Sequence, residues 1–547
     1  MKKTVLHNPD WWREAVIYQV YPRSFKDSNG DGIGDLPGIT EKLEYIANLG
    51  VDIVWISPFF TSPMKDFGYD VADYCDVDPL FGTLADFDTL IARAHELGLK
   101  IIIDQVLSHT AESHPWFVES RRSRDSSTNP KSDWYVWADP NPDGTPPNNW
   151  LSIFGGSAWQ WDTRRCQYYL HNFLTSQPDM NFHHPEVQKA HLENMRFWLE
   201  RGVDGFRMDA CIYHFHDQQL RHNPVAAKQN TVNVAASNPY GMQAHIYDNS
   251  RPENLAFLEK VRSLLDEYQA ISIGEIGADD ALEVMAQYTE GGKRLHMAYS
   301  FNLLTTEYSA AHIRHQVEAF EARVKEGGAS WSVGNHDVAR VMTRWGGQAA
   351  SAEFAKMILT LQLTLKGTPC LYQGDELGLT EAEVAYEDLR DPVGINFWPE
   401  SKGRDGCRTP LPWDGDAAYA GFSSEKPWLP VPSEHFALAV SEQEKNPESP
   451  LHFARRVLRW RKSIPQLLRG DISFYDLPEP VLGLSRDLPG APSMYVAFNL
   501  SGEAITVEWP QVQDAIALSG HGLAGQKDGS QLILPAYGAW FGVKRQN

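Results

Sequence analysis

Asp209, Glu275 and Asp337 each end a short, mostly apolar stretch, and each has polar company. Asp209 closes Gly205-Phe-Arg-Met-Asp and stands two residues from Arg207. Positions two apart on a strand face one side, so guanidinium and carboxylate project together. Buried charges of this kind are tolerated when they are paired or used. Arg207 would hold Asp209 ionised, which makes it a nucleophile in waiting. A structural ion pair at a strand end is the equal alternative on this stretch alone. Glu275 lies in Ile-Ser-Ile-Gly-Glu-Ile, an apolar setting that favours a raised pKa and therefore an acid. Asp337 follows Asn335-His336. Two carboxylates in unlike settings are what a retaining glycosidase requires: one attacks the anomeric carbon, the other protonates the leaving oxygen and then activates water.

A second candidate cluster is Asp27-Ser-Asn29-Gly-Asp31-Gly-Ile-Gly-Asp35. Oxygen-bearing side chains at alternate positions, with glycine at the bend, match the first half of a calcium loop. Position twelve is Gly38 rather than Glu, so it is not an EF-hand. An Asx-rich turn without a metal is the other reading.

These groups must be positioned by the surrounding chain. Residues 15–21, 51–57, 100–106, 205–210, 271–276, 298–301, 331–334 and 369–373 read as eight short strands. Helices separate them. In residues 83–97 Thr83 can cap, Phe87, Leu90, Ile91 and Ala94 form one stripe, and Gly98 stops the helix. Residues 186–201 and 449–461 read similarly, with Leu451, Ala454 and Leu458 on one face of the latter. The alternation predicts an α/β fold, a (β/α)8 TIM barrel, over 1–106 and 179–465. Its three acids then sit at the C-terminal ends of strands, where such barrels place chemistry. A doubly wound sheet is the rival, but no GxGxxG follows the first strand.

The rhythm breaks three times. Residues 107–178 are rich in Asn, Pro, Asp, Ser and Trp and read as an inserted subdomain of loops and short strands after strand 3. Residues 217–250 are polar and aperiodic, too long for an ordinary connection, and suit a binding wall. Residues 376–435 form a further Pro- and Asp-rich excursion. Beyond about 466 the period changes to two, in 494–499, 504–509 and 531–543, which predicts a C-terminal antiparallel β-sandwich domain over 466–547.

Composition narrows the function. The 547 residues carry 49 Lys+Arg against 71 Asp+Glu, net −22. An acidic surface argues against nucleic acid and anionic membranes as partners. The 18 Trp suit sugar faces, although abundant Trp more often builds core. Five scattered cysteines without a CxxC fit reduced thiols in a cytoplasmic protein. Residues 1–10 lack an apolar signal region, and no apolar run approaches the roughly 18 residues of a membrane span. No nicotinamide, flavin or phosphate motif appears, so no organic cofactor is expected.

Taken as a set, Asp104-Gln-Val-Leu-Ser-His109, Gly205-Phe-Arg-Met-Asp209, Gly274-Glu275 and Asn335-His336-Asp337 resemble the four hallmark regions of the α-amylase family, glycoside hydrolase family 13. Gln177-Pro-Asp-Met-Asn181, the stretch from Trp11-Trp12 to Phe25, and Gly403-Arg404-Asp405-Gly-Cys-Arg-Thr-Pro resemble its bacterial α-glucosidase and oligo-1,6-glucosidase subgroup, some members of which also transfer glucosyl groups. The likeness spans 11–465 and extends more weakly into the tail. It implies Asp209 as nucleophile, Glu275 as general acid/base, Asp337 as transition-state stabiliser and Arg207 as the residue that steers Asp209. It implies that Asp66, Tyr69, His109, His336 and Arg404 surround the innermost glucose, and that Phe154, Phe173 and Phe301 line the pocket; core packing is the alternative for the three Phe. The metal loop becomes Asp27, Asn29, Asp31, Asp35 and the Ile33 carbonyl, holding a structural Ca2+, with Mg2+ as an alternative.

Two positions depart from the subgroup. Ser108 replaces the usual Asn before His109, which is expected to loosen hydrogen bonding around the third strand. Ala210 follows the nucleophile position, where Val accompanies α-1,6 preference and Thr or Ala α-1,4. The expected activity is therefore a retaining, exo-acting α-glucosidase on maltose, maltooligosaccharides or sucrose, preferring α-1,4 bonds, with transfer to sugar or alcohol acceptors. A sucrose-active transferase or isomerase, or an oligo-1,6-glucosidase, is the alternative on the same scaffold. Non-enzymatic barrel subunits of amino-acid transporters carry a membrane helix and lack the acids, unlike this chain. A monomer or homodimer is expected.

Overall fold

The computed structural model describes residues 10–230, 234–324 and 326–544. Residues 1–9, where a signal peptide would begin, lie outside them, as do 231–233 of the long loop and 545–547.

Eight parallel strands form one sheet: β1 (Ile17–Val20), β2 (Ile53–Ile56), β3 (Lys100–Val106), β4 (Gly205–Asp209), β5 (Ile271–Ile276), β6 (Met297–Ser300), β7 (Gly328–Ala329) and β8 (Cys370–Tyr372). They lie in sequence order from β1 to β7, with β8 beside β1. Thr368 N donates to Ala329 O at 3.0 Å and Cys370 N to Trp331 O at 3.1 Å, which joins the eighth strand to the seventh and closes the (β/α)8 ring. All four residues of β2 and all six of β5 are buried, as expected where helices cover the sheet.

Eight helices follow the strands in turn: α1 (Leu36–Leu49), α2 (Leu84–Glu96), α3 (Pro185–Glu200), α4 (Asn254–Tyr268), α5 (Ala281–Thr289), α6 (Ala310–Glu321), α7 (Ala352–Thr364) and α8 (Pro450–Lys462). Their ends are locally encoded. Thr83 and Asp86 make a full capping box on α2, and Ser449 caps α8. Phe87, Leu90, Ile91 and Ala94 are buried, as their spacing predicts.

Three expectations need correction. The seventh strand is Gly328–Ala329, and Trp331–Gly334 is irregular although buried. The Trp12 ring packs there so closely that a Cβ on Gly328 would sit 2.5 Å from it. The 531–543 strand is two strands, Gln531–Leu534 and Ala539–Lys544, in different sheets. Pro535, Tyr537 at φ 52° and Gly538 turn the chain between them. The 107–178 segment also contains a helix, Pro115–Ser120, too short to show a period.

That segment builds a three-stranded antiparallel sheet from Trp137–Ala138, Gln167–Leu170 and Trp159–Asp162 over its own small core. The C-terminal region has a five-stranded and a three-stranded antiparallel sheet. Val481, Tyr495, Trp540, Val507, Leu532 and Leu534 pack between them. Among the described residues no helix is long and apolar enough to cross a membrane.

Candidate active site

Strand β4 delivers Arg207 and Asp209 to one face, and both are buried. Arg207 Nη1 donates to Asp104 at 2.8 Å and to Asp209 Oδ1. Its Nη2 reaches Glu275 Oε1 at 2.8 Å. One planar guanidinium thus bridges the carboxylates of β4 and β5, so the two acids stand about one guanidinium apart. Trp55 carries the cation on its ring, 5.0 Å from the centroid.

Asp337 has a different escort. Its Oδ1 accepts from Arg404 Nη1 at 3.2 Å and from Arg408 Nη2 at 3.0 Å. Arg404 also binds Asp66 at 3.1 Å and Asp391 at 2.7 Å. Gln177 donates to Asp66 at 3.0 Å and lies 3.2 Å from the His109 ring.

This arrangement splits the acids. Burial pushes Glu275 up to about 8, against the pull of Arg207. Burial also raises Asp209, to about 7, so Arg207 alone does not keep it at an ordinary carboxylate value. The expectation of a simply ionised Asp209 is corrected: its guanidinium is shared among three carboxylates. Burial would raise Asp337 too, but the His336 ring at 3.3 Å, Arg404 and Arg408 outweigh it and hold Asp337 well below its usual range. Glu275 therefore keeps its proton to the highest pH of the three.

A cavity of about 750 Å³ opens above these groups. Asp209, Glu275 and Asp337 all line it, with Asp66, Tyr69, His109, Phe154, Phe173, Phe301 and Arg404. The three Phe are half-buried residues of the cavity wall, and Phe173 also packs against the main core. Arg207 and His336 are not in the wall. Both are buried beneath it, and His336 stacks on Tyr69 with its Nε2 2.5 Å from the hydroxyl. His336 Nε2 is also 3.3 Å from Asp337 Oδ2, so the ring backs two residues that line the cavity.

Ser108 keeps a side-chain hydrogen bond to the third-strand histidine. Its Oγ sits 2.9 Å from His109 Nδ1, and His109 Nε2 is 2.9 Å from Tyr69 O. Burial lowers the His109 pKa to about 4, so the ring is neutral at physiological pH.

Sequence reasoning passed over Asp391 and Arg408; it read 217–250 as a wall but did not foresee that 376–435 supplies the other side. Arg408 lies within the quoted Gly403–Pro410 stretch, and its spacing of four from Arg404 was available as a signal. Asp391 carried none, since only folding brings it against Arg404. The outer wall comes from both excursions: Val234, Ala235 and Ala236 on one side, Val384, Val393, Phe397 and Lys402 on the other. Ser237 N donates to Glu400 Oε1 at 3.0 Å and ties them together.

The 27–35 loop lies away from this cavity. Asp27 accepts from the amides of Asn29, Gly30 and Gly32 and from Ser423 Oγ. Asn29 and Asp31 accept amides two residues on, and Asp35 caps α1 through Gly38 N. Among the described residues no three His, Cys, Asp or Glu side chains are grouped to hold a metal. The loop's all-oxygen side chains, Asn29 included, are nevertheless the donor class of a hard divalent cation.

The family model for the alpha amylase catalytic domain matches residues 19–470. A probable alpha-glucosidase of Rhizobium meliloti (strain 1021) is 54% identical over 538 residues, covering 97% of each chain. The crystal structure of XgtA, an alpha-glucosyl transfer enzyme, matches with a TM-score of 0.95 at 57% identity, over 98% of this chain and 99% of that one. The trehalulose synthase MutB of Pseudomonas mesoacidophila MX-45 matches with a TM-score of 0.86 at 32% identity, over 97% and 99% of the two chains.

Proposed function

The chain belongs to the α-amylase family, and from that premise we propose that it is a retaining α-glucosidase which also passes glucose to acceptors other than water. The observation that carries the reading is the single Arg207 guanidinium gripping both Asp209 and Glu275 on one cavity wall. Such closeness suits the retaining spacing of about 5–5.5 Å rather than the 6.5–9.5 Å that leaves room for a water.

Asp209 attacks the anomeric carbon as the bond to the leaving oxygen breaks, and Glu275 gives its proton to that oxygen. A covalent glucosyl-enzyme results. Glu275, now a carboxylate, takes a proton from an incoming water or acceptor hydroxyl, whose oxygen displaces Asp209 with net retention. Asp66, Arg404 and His109 offer hydrogen bonds to the sugar hydroxyls. Asp337, kept ionised, stabilises the positive charge that develops on the ring. The small Ala210 in the wall supports an α-1,4 preference. Two excursions joined at Ser237–Glu400 favour a chain end over a chain middle.

The same machinery would run sucrose isomerisation or α-1,6 hydrolysis, the first favoured by the likeness to MutB. A product time course on maltose, isomaltose, sucrose and trehalose, resolved by anomer and with an added alcohol acceptor, separates these readings. α-Glucose as first product, maltose as best substrate and alkyl α-glucoside with acceptor are expected. β-Glucose as first product would overturn retention.

Two further elements belong to this reading. The 27–35 loop holds Ca2+, or Mg2+, in a structural role, supported by its oxygen donors. The enzyme works in the cytoplasm, supported by five cysteines that are all unpaired.

A further inference from the structure

Residue 210 stands at the joint between the two reacting acids. Ala210 follows Asp209 at the end of β4, and its backbone is left-handed, φ 42° and ψ 36°. An L residue other than Asn or Asp pays strain there, because its Cβ crowds the next carbonyl. Strain of this kind persists where the surrounding structure enforces it, and it clusters at working sites. In the same turn the amide of the Asp209–Ala210 peptide donates to Glu275 Oε2, 2.9 Å away, and the left-handed residue leads Cys211 back under strand β5.

The rest of the contact is equally close. Glu275 Oε1 is occupied by Arg207 at 2.8 Å and by the Tyr299 hydroxyl at 3.3 Å. Among the described residues, the protein donor to Oε2 is this one amide. Cys211 Sγ lies 3.2 Å from the Glu275 carbonyl oxygen, and a Cβ on Gly274 would meet that sulfur at 3.2 Å. Strand β5 is therefore seated directly on residues 210 and 211.

We propose that the left-handed backbone at residue 210 is a positioning device for Glu275: its conformation, and not the size of its side chain, sets how readily the carboxyl exchanges its proton. This rests on Glu275 being the acid/base. A donated N–H favours the carboxylate over the acid. It therefore stabilises the state Glu275 reaches after protonating the leaving oxygen, and the state in which it deprotonates the acceptor. The other groups facing Glu275 are Arg207 and Asp209 from β4, Asp104 from β3, Tyr299 from β6, Asp337 from the loop after β7, and the Cys211 thiol. All of them keep their identity in variants of residue 210.

The test is the basic limb of kcat/KM against pH on maltose. Ala210→Gly and Ala210→Asn keep the left-handed conformation, and Asn adds bulk. Ala210→Val resists that conformation. Replacing Ala210 by lactic acid, through nonsense suppression, removes the N–H and leaves the methyl group. The expected result is a limb unmoved in the Gly and Asn variants, and raised by about one unit in the Val and ester variants, as a carboxylate loses a charge-assisted hydrogen bond. Asn and Val moving together would assign the effect to bulk and overturn the proposal, as would an unmoved limb in the ester variant. The ester variant decides the matter if the Val variant fails to fold. Glu275→Gln is measured alongside: near-normal maltose hydrolysis there would overturn the acid/base reading itself, whereas an inactive Glu275→Gln with unmoved limbs would remove only the role of residue 210.

Discussion

The hydroxyl of Tyr299 lies 2.7 Å from Arg207 Nη2, the nitrogen that also reaches Glu275. A neutral phenol thus completes a guanidinium that already serves Asp104, Asp209 and Glu275. Counting Asp66, Asp337 and Asp391 with Arg404 and Arg408, six carboxyl groups share three cations in and below the cavity floor. The floor is short of positive charge, so a proton is retained at neutral pH, and Glu275 is where it stays.

The pH profile of kcat/KM should therefore be a narrow bell. Activity rises as Asp209 loses its proton near 7 and falls as Glu275 loses its own near 8. Initial rates at low maltose concentration across the neutral range measure both limbs. A plateau extending two or more units above 8 would contradict the assignment of Glu275.

Glu275→Gln should lower kcat on maltose about 10²- to 10⁴-fold, the usual worth of general acid–base catalysis. The first step should be spared on an aryl glucoside whose leaving group needs no proton. Azide, which needs no base, should then restore turnover and yield α-glucosyl azide. The β-anomer as product would indicate that no covalent intermediate forms.

The same substitution should stabilise the fold, increasingly so as pH rises. An unfolded Glu titrates near 4.3. The folded Glu275 titrates near 8. Between those values the folded state binds the extra proton, so raising pH costs the wild type stability. The variant does not titrate there. Thermal melts of both proteins should diverge from pH 5 towards pH 8, with the variant higher; parallel curves would show that Glu275 is not perturbed.

Arg404→Lys should raise KM more than it lowers kcat, and Arg404→Ala should lower both and destabilise the protein by about 3–5 kcal/mol. The guanidinium meets Asp66, Asp337 and Asp391 in one plane, and an ammonium reaches fewer of them. Burial already raises Asp66 to about 6, and loss of Arg404 would raise it further. Maltose kinetics and urea melts on the two variants provide the comparison.

Chelation should lower the melting temperature, with kcat/KM unchanged well below the transition. Restoration by Ca2+ but not Mg2+, or the reverse, identifies the ion that the 27–35 loop prefers. A melt insensitive to chelator and to both ions would leave the loop an Asx-rich turn held by its own amides.

The barrel was legible because its signals are local. Thr83 and Gly98 bracket α2, and the apolar stretch at Ile271–Ile276 allowed little but a buried strand. The reacting acids were legible because a charge in such a strand needs a reason. What failed was what tertiary packing decides. The seventh strand is Gly328–Ala329, with the Trp12 ring against Gly328, and not the Trp331–Gly334 run. Asp391 meets Arg404 across a turn within the excursion after β8, and that excursion's folding over the barrel mouth brings Arg404 to Asp66 and Asp337.

That excursion is also stitched to the chain's opening. Ser423 donates to Asp27, and Trp428 N donates to Gly32 O at 3.0 Å. The first of these contacts spans 396 positions. During synthesis the early turn must therefore wait, its partners unmade, until most of the polypeptide has left the ribosome. Arg404 and Arg408 emerge in the same late stretch. A nascent enzyme can own its nucleophile and its acid long before it owns a finished sugar site, and catalytic competence arrives with the last loop of the barrel.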